Sequence, residues 1–258
     1  MDQYALITGA GKGIGRSMAI LLAQKGYNLL LVSRSEGDLI ALSAQIKTDY
    51  KVKADHLAID LSGVGAALRV FDWAKSLNVP VSILINNAGL GVWGNFHELD
   101  LAAQTGMMQV NMNALTELSY YFILVLKQQP QAFILNVSST AAYQAVPTLA
   151  IYAATKAFVL SFSRALRYEL KDTSIAVSCL CPGPTDTGFA HRAGMDALAD
   201  LAAKFNMKPD EVAVIGIKGM FSKKAEIVPG FLNKLSAAAA THSPKSLIER
   251  VTAGLYKH

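Results

Sequence analysis

Tyr4-Ala5-Leu6-Ile7-Thr8-Gly9-Ala10-Gly11-Lys12-Gly13-Ile14-Gly15 decides the fold. A short strand-like run enters a glycine-rich turn, and Ile14–Gln24 then repeats apolar side chains at positions 18, 21 and 22, the spacing of a helix. The glycines allow a sharp turn, and Gly13 and Gly15 let an anion and the strand approach the helix start. Unpaired N–H groups and the positive end of the dipole favour phosphate there. The strict G-x-G-x-x-G string is absent, because Ile14 and Arg16 stand where its third glycine would fall.

Outward from this turn the same alternation continues. Strands are expected at Asn28–Ser33, Lys53–Ala58, Ser82–Asn86, Phe133–Val137 and Ile175–Leu180. Helices are expected around Leu39, Leu42 and Ile46, around Leu68, Phe71 and Leu77, from about Leu99 to Lys127, and over Tyr152–Leu170. Strands alternating with helices of these lengths imply right-handed βαβ units and a parallel sheet. The chain lacks repeats and Pro/Ser-rich linkers, so residues 1–258 are expected to form one domain, with 185–258 as a substrate loop and C-terminal extension. There a helix should start after Pro209, an edge strand at Glu226–Val228, and one or two helices should follow Pro229.

Composition excludes several classes. Hydrophobic residues are 52% and charged residues 17% of the 258, which rules out disorder. The longest run of apolar and aromatic residues, Tyr120–Leu126, is too short to span a bilayer. Met-Asp-Gln-Tyr-Ala lacks the pattern of a secretory signal, and Cys179 and Cys181 are too close for an unstrained disulfide; both lead us to expect a reducing cytoplasm. The five histidines are scattered, so no metal site is expected. Net charge is +5: residues 1–199 carry 15 basic and 14 acidic side chains, residues 200–258 carry 9 and 5. The basic residues are dispersed, which reads as solvated surface and not as a nucleic-acid face.

About twenty residues past the glycines, a dinucleotide site usually holds an acid for the ribose 2′-hydroxyl. Here the strand ends in Ser33-Arg34, with Lys12 on the same side. Two cations and no carboxylate point to a 2′-phosphate, hence NADP(H); the alternative is that Arg34 only closes a strand. Tyr152 and Lys156 stand four apart on a helix and share a face, so an ammonium can lower the pKa of a phenol. Tyr143 has Pro147 at that offset, which excludes it.

With Thr8-Gly9-(x)3-Gly13-Ile14-Gly15, Asn86-Asn87-Ala88-Gly89, Tyr152-(x)3-Lys156 and Pro182-Gly183-Pro184-Thr185-Asp186-Thr187 in order over residues 4–187, the sequence resembles the short-chain dehydrogenase/reductase family. The resemblance implies a doubly wound, Rossmann-type parallel sheet of order 3-2-1-4-5-6-7 flanked by helices. It implies hydride transfer between NADP(H) and a carbonyl or alcohol, with Tyr152 as acid or base and Lys156 tuning it and bonding the nicotinamide ribose. Ser139 would hold the substrate oxygen, with Ser138 the lesser candidate. Asn111, otherwise an ordinary polar helix residue, would hold a proton-relay water on its backbone carbonyl. Asp60 would lie near the adenine or else cap the next helix; Asn87, Ala88 and Gly89 would pass beneath the adenosine ribose. Pro182, Gly183, Thr185 and Thr187 would border the nicotinamide.

Phe189, Met195, Leu198, Phe205 and Met207 read as an apolar lid over a hydrophobic ketone, aldehyde, steroid-like or acyl substrate, or as an ordinary amphipathic helix. The face around Tyr120–Leu126 is core or a dimer seam, and a homodimer or homotetramer is expected. An NAD-dependent alcohol or steroid dehydrogenase and a non-catalytic dinucleotide sensor are the rival readings.

Overall fold

The computed structural model describes residues 2–195 and 206–255. Seven strands, β1 (Tyr4–Thr8), β2 (Asn28–Ser33), β3 (Ala54–Ala58), β4 (Val81–Asn86), β5 (Ala132–Val137), β6 (Ile175–Leu180) and β7 (Glu226–Ile227), form one parallel sheet. Their order, β3-β2-β1-β4-β5-β6-β7, is the expected one. The order reverses between β1 and β4, and ligand crevices open at the carboxyl ends of strands flanking such a switch.

Strand alternation sends successive side chains to opposite faces. Ala5, Ile7, Leu29, Leu31, Ile83 and Ile85 meet α1 (Gly13–Gln24), α2 (Glu36–Tyr50) and the later helix over Pro209–Phe221. Leu6, Leu30, Leu84 and Ile134 meet α3 (Ala66–Ser76) and the helices described next. The expected helix from Leu99 to Lys127 is α4 (Leu101–Met108) and α5 (Leu115–Leu126) joined by a π-helical segment, Gln109–Ala114. Leu39, Leu42 and Ile46 are buried as their spacing requires. Leu68 is not: α3 turns Ala66, Ala67, Val70 and Ala74 inward, small residues that let it lie close to the sheet.

After β5 comes a short 3₁₀ turn, Thr140–Tyr143, then α6 (Ala150–Glu169). Beyond β6 lie a single turn α7 (Phe189–Arg192), α8 (Pro209–Phe221), α9 (Phe231–His242) and α10 (Lys245–Leu255). The helix expected after Pro209, the edge strand and both C-terminal helices are therefore present. Of the lid residues, Phe189, Met195 and Met207 are described, whereas Leu198 and Phe205 lie outside the described residues.

Candidate functional site

The turn after β1 is made rigid from both sides. Gly9 and Gly13 take positive φ, +66° and +55°, which side chains with a Cβ rarely adopt. A Cβ on Gly15 would strike the Gly9 carbonyl and the Asn87 amide, and one on Gly13 would sit 2.7 Å from Thr187 Cβ. Asn87 Nδ2 donates to the carbonyls of Thr8 (3.0 Å) and Gly9 (3.2 Å). The Thr8 hydroxyl donates to Ile85 O and accepts from the N–H groups of Asn87 and Ala88. Ile14 packs on the core and holds the helix start in place. The turn between β1 and α1 is thus built of backbone held by Thr8 and Asn87 with Thr187 lying over it, a kind of turn that can take a phosphate.

At the end of β2, Ser33 faces Gly11, its hydroxyl 3.1 Å from where a Cβ would lie, and Arg34 is exposed. The expectation that no carboxylate stands here is corrected. Asp38, in the first turn of α2, lies beside Gly11 and pairs with Lys12 at 3.3 Å. Its carboxyl is held below the usual range by the Ser35 hydrogen bond first and by Lys12 as well. Asp60 accepts from the N–H and hydroxyl of Ser62, both 2.9 Å. It closes a turn ahead of α3 and does not cap that helix, whose N-cap is Gly65. These bonds, and Arg34 farther off, keep Asp60 ionised at lower pH than usual.

Tyr152 and Lys156 project from one face of α6. The Lys156 ammonium lies 5.7 Å from the Tyr152 ring centre and donates to Val137 O at 3.1 Å. Burial lowers its pKa to about 8, although Cys179 and Cys181 push the other way. The Ser138 hydroxyl is buried and donates to Lys156 O at 2.6 Å, so it fixes the end of β5 to α6. Ser139 is the more accessible of the two, and its oxygen caps the 3₁₀ turn by accepting from Ala141 N. Tyr143, set aside by its sequence, instead donates to Glu226 at 2.6 Å, with Arg164 on the other carboxylate oxygen at 3.0 Å. Burial first, then Cys181 and Glu226, push its phenol well above the usual range.

Asn111 sits in the π segment with its side chain fully used. Its amide accepts from Leu90 N (2.8 Å) and donates to Leu90 O (2.9 Å) and Thr155 Oγ1 (3.0 Å). Thr155 in turn donates to the Tyr152 carbonyl at 2.7 Å. Gly89 fills the remaining gap: a Cβ there would lie 3.3 Å from Lys156 Nζ and 3.4 Å from Asn111 Oδ1. Asn111, Gly89, Lys156 and Tyr152 are therefore gathered at one end of the crevice.

The loop after β6 closes this end. Pro182 O accepts from Thr140 N, Thr185 Oγ1 donates to Gly183 O, and Gly183 lies flush against Asn233 of α9. Thr187 accepts from Phe189 N and covers the glycine turn. Phe189 is 5.5 Å from the Tyr152 ring centre and lies on Gly91; Trp93, Val146, Leu149, Ala153 and Met195 continue the apolar wall around Tyr152. Thr148, in the loop before α6, holds φ +65° and accepts from Gly94 N. Such backbone strain concentrates near functional sites.

Sequence reasoning missed Asp38, Thr155, Gly91, Trp93 and Thr148. The positive φ of Thr148 carries no residue signature at all. Among the described residues no three His, Cys, Asp or Glu side chains could hold a metal, and no helix is long and apolar enough to cross a membrane.

The short chain dehydrogenase family model matches residues 3–197. Very-long-chain 3-oxoacyl-CoA reductase-A of Danio rerio is 32% identical over 186 residues, 70% of this chain and 58% of the relative. A very-long-chain 3-oxoacyl-CoA reductase-like protein of Arabidopsis thaliana is 37% identical over 184 residues, 69% of this chain and again 58% of the relative. The chain thus matches little over half the length of these two relatives. A solved short-chain dehydrogenase from Sphingobium yanoikuyae, in complex with NADPH, superposes with a TM-score of 0.82 at 27% identity, over 95% of this chain and 97% of that one.

Proposed function

The chain belongs to the short-chain dehydrogenase/reductase family, and from that membership we propose that it is a single-domain, cytoplasmic, NADP(H)-dependent oxidoreductase acting on a hydrophobic carbonyl or the matching alcohol. The observation that carries this reading is Lys156, buried one helical turn from Tyr152 and against Gly89, at the carboxyl ends of strands whose first turn is rich in glycine. The relatives' names and the apolar wall of Phe189, Trp93, Leu149 and Met195 favour a 3-oxoacyl or bulky ketone substrate.

The cradle at Gly9, Gly13 and Gly15 would hold the pyrophosphate, Asn87, Ala88 and Gly89 the adenosine ribose, Asp60 the adenine edge, and Thr185 and Thr187 the nicotinamide side. A bound nicotinamide supplies the hydride. In reduction Tyr152 gives its proton to the substrate oxygen as negative charge develops there, and Ser139 donates a hydrogen bond to the same oxygen. Lys156, cationic below its pKa of about 8, stabilises the phenolate left behind. The Asn111 carbonyl, in the wider π turn, would hold the water that returns a proton to Lys156.

The choice of NADP(H) rests on Arg34. Lys12 is already engaged by Asp38, so Arg34 carries the contact to a 2′-phosphate. Arg34→Glu should therefore raise the Kd for NADPH far more than that for NADH in a fluorescence titration; equal losses would return the assignment to NAD. The reaction is tested by NADPH and NADH oxidation against 3-oxoacyl thioesters, ketones and aldehydes. Tyr152→Phe should keep NADPH affinity while turnover drops by about a hundredfold or more. Unchanged turnover would remove Tyr152 as the acid, and failure to bind either dinucleotide would end the enzymatic reading.

A further inference from the structure

Helix α9 touches the body of the protein with one face and carries apolar residues on the other. Asn233, Ala237 and Ala240, at i, i+4 and i+7, face inward, where Asn233 packs on Gly183. Phe231, Leu232 and Leu235 point outward and are 79%, 64% and 59% exposed. On α10 the same division recurs. Thr252 is buried and donates to Ala145 O at 3.2 Å, whereas Leu247 and Val251, one turn apart, are each 53% exposed. Both helices are thus tethered to loops that border Tyr152, and both turn large apolar side chains to the outside. Such a concentration on consecutive helices marks an interaction surface.

Charge identifies the occupant. From Pro229 to Leu255 the chain carries Lys234, Lys245 and Arg250 against the single acid Glu249. A symmetric contact between two copies would place like patch on like patch and bring these cations together. Anionic headgroups would neutralise them while the acyl boundary takes up the Phe and Leu side chains. Neither helix can span a bilayer, so the geometry is that of helices lying in the surface plane.

We infer that the α9–α10 segment docks this protein onto an anionic lipid surface. The docking depends on α9 and α10 alone and stands or falls separately from the hydride reaction. It is tested by flotation of the full chain with vesicles of phosphatidylcholine mixed with phosphatidylglycerol, and with phosphatidylcholine alone. The protein should float with the mixed vesicles, float far less with the neutral ones, and be released by high salt. Lys234→Glu with Arg250→Glu should weaken retention by at least about twentyfold, since each basic residue near an anionic surface is worth about fivefold. Phe231→Ser with Leu232→Ser and Leu235→Ser should lower retention by at least about tenfold. These side chains are exposed, so circular dichroism melting should be unchanged in both variants. Absence of the parent protein from the mixed vesicles, or full retention of the triple variant, would overturn the inference. So would a halved mass of the triple variant in light scattering without vesicle binding by the parent, which would give the face to a second copy.

Discussion

Gly13 and Gly26 both hold positive φ, +55° and +84°, yet only one is crowded. A Cβ on Gly26 meets nothing within 4 Å; one on Gly13 collides with Thr187. Gly26→Ala should therefore cost only the left-handed backbone, about 1–2 kcal/mol, while Gly13→Ala adds an overpacking term of about 1–3 kcal/mol. Thermal melts should show the larger drop for Gly13→Ala and partial recovery when Thr187→Gly is added; equal drops would mean that turn and loop do not touch. Lys156 sets a second test. Its folded pKa of about 8 lies below its ordinary 10.5, so between these values the unfolded chain binds the proton more tightly. Stability should rise as pH climbs through that window, with the penalty for a buried ammonium, of order 3 kcal/mol, present in full below it. Lys156→Met should flatten this rise in denaturant titrations at the two ends of the window. An unchanged rise would mean that the amine is not desolvated. The Tyr152–Lys156 pair was legible because i, i+4 spacing fixes a shared face. Asp38 was not, because a linear reading looks for an acid at the strand end, whereas the first turn of α2 folds back beneath Gly11 and makes a residue five positions later a neighbour of the glycine turn.

Among the elements, periodicity found every strand and nearly every helix, because buried parallel strands read as short apolar runs and their crossovers as amphipathic ones. It did not find the π segment. An inserted residue shifts the helical phase by about 100°, and Leu115–Leu126 is apolar on so many sides that the shift leaves no trace. The segment matters because it carries Asn111, whose side chain ties Leu90 to α6. Asn111→Leu strands the Leu90 amide and carbonyl and takes from the Thr155 hydroxyl the donor it accepts from, a loss of about 2–4 kcal/mol. Thr155→Val removes one of those partners and should cost about 1 kcal/mol. Because both act through the same bond, the double variant should be more stable than the summed single losses allow. Strict additivity in urea titrations would show the network to be two independent contacts.

In the whole molecule, the helices on the β4–β5 side of the sheet keep an outer face with large apolar side chains. Phe122 and Leu126 of α5 are buried in the core, so the sequence run Tyr120–Leu126 is core on one face. Tyr120 and Leu124, one turn apart, are exposed on the other, and so are Phe158 and Tyr168 of α6. Between those two aromatics the outer face of α6 carries Ser161 and Ala165, small residues over which a second helix can approach closely. Unlike the α9–α10 segment, this face has no excess of cations to oppose a symmetric contact: Glu117 and Glu169 flank it together with Arg164. We therefore expect light scattering to give two or four times the chain mass, and Tyr120→Glu with Leu124→Glu to give the single-chain mass. Substituting Phe231, Leu232 and Leu235 should leave that mass unchanged, since the inference above assigns those side chains to a lipid surface and not to a second copy. A parent protein that is monomeric at every concentration, or a doubly substituted one that still assembles, would mean that these side chains face solvent in the working enzyme.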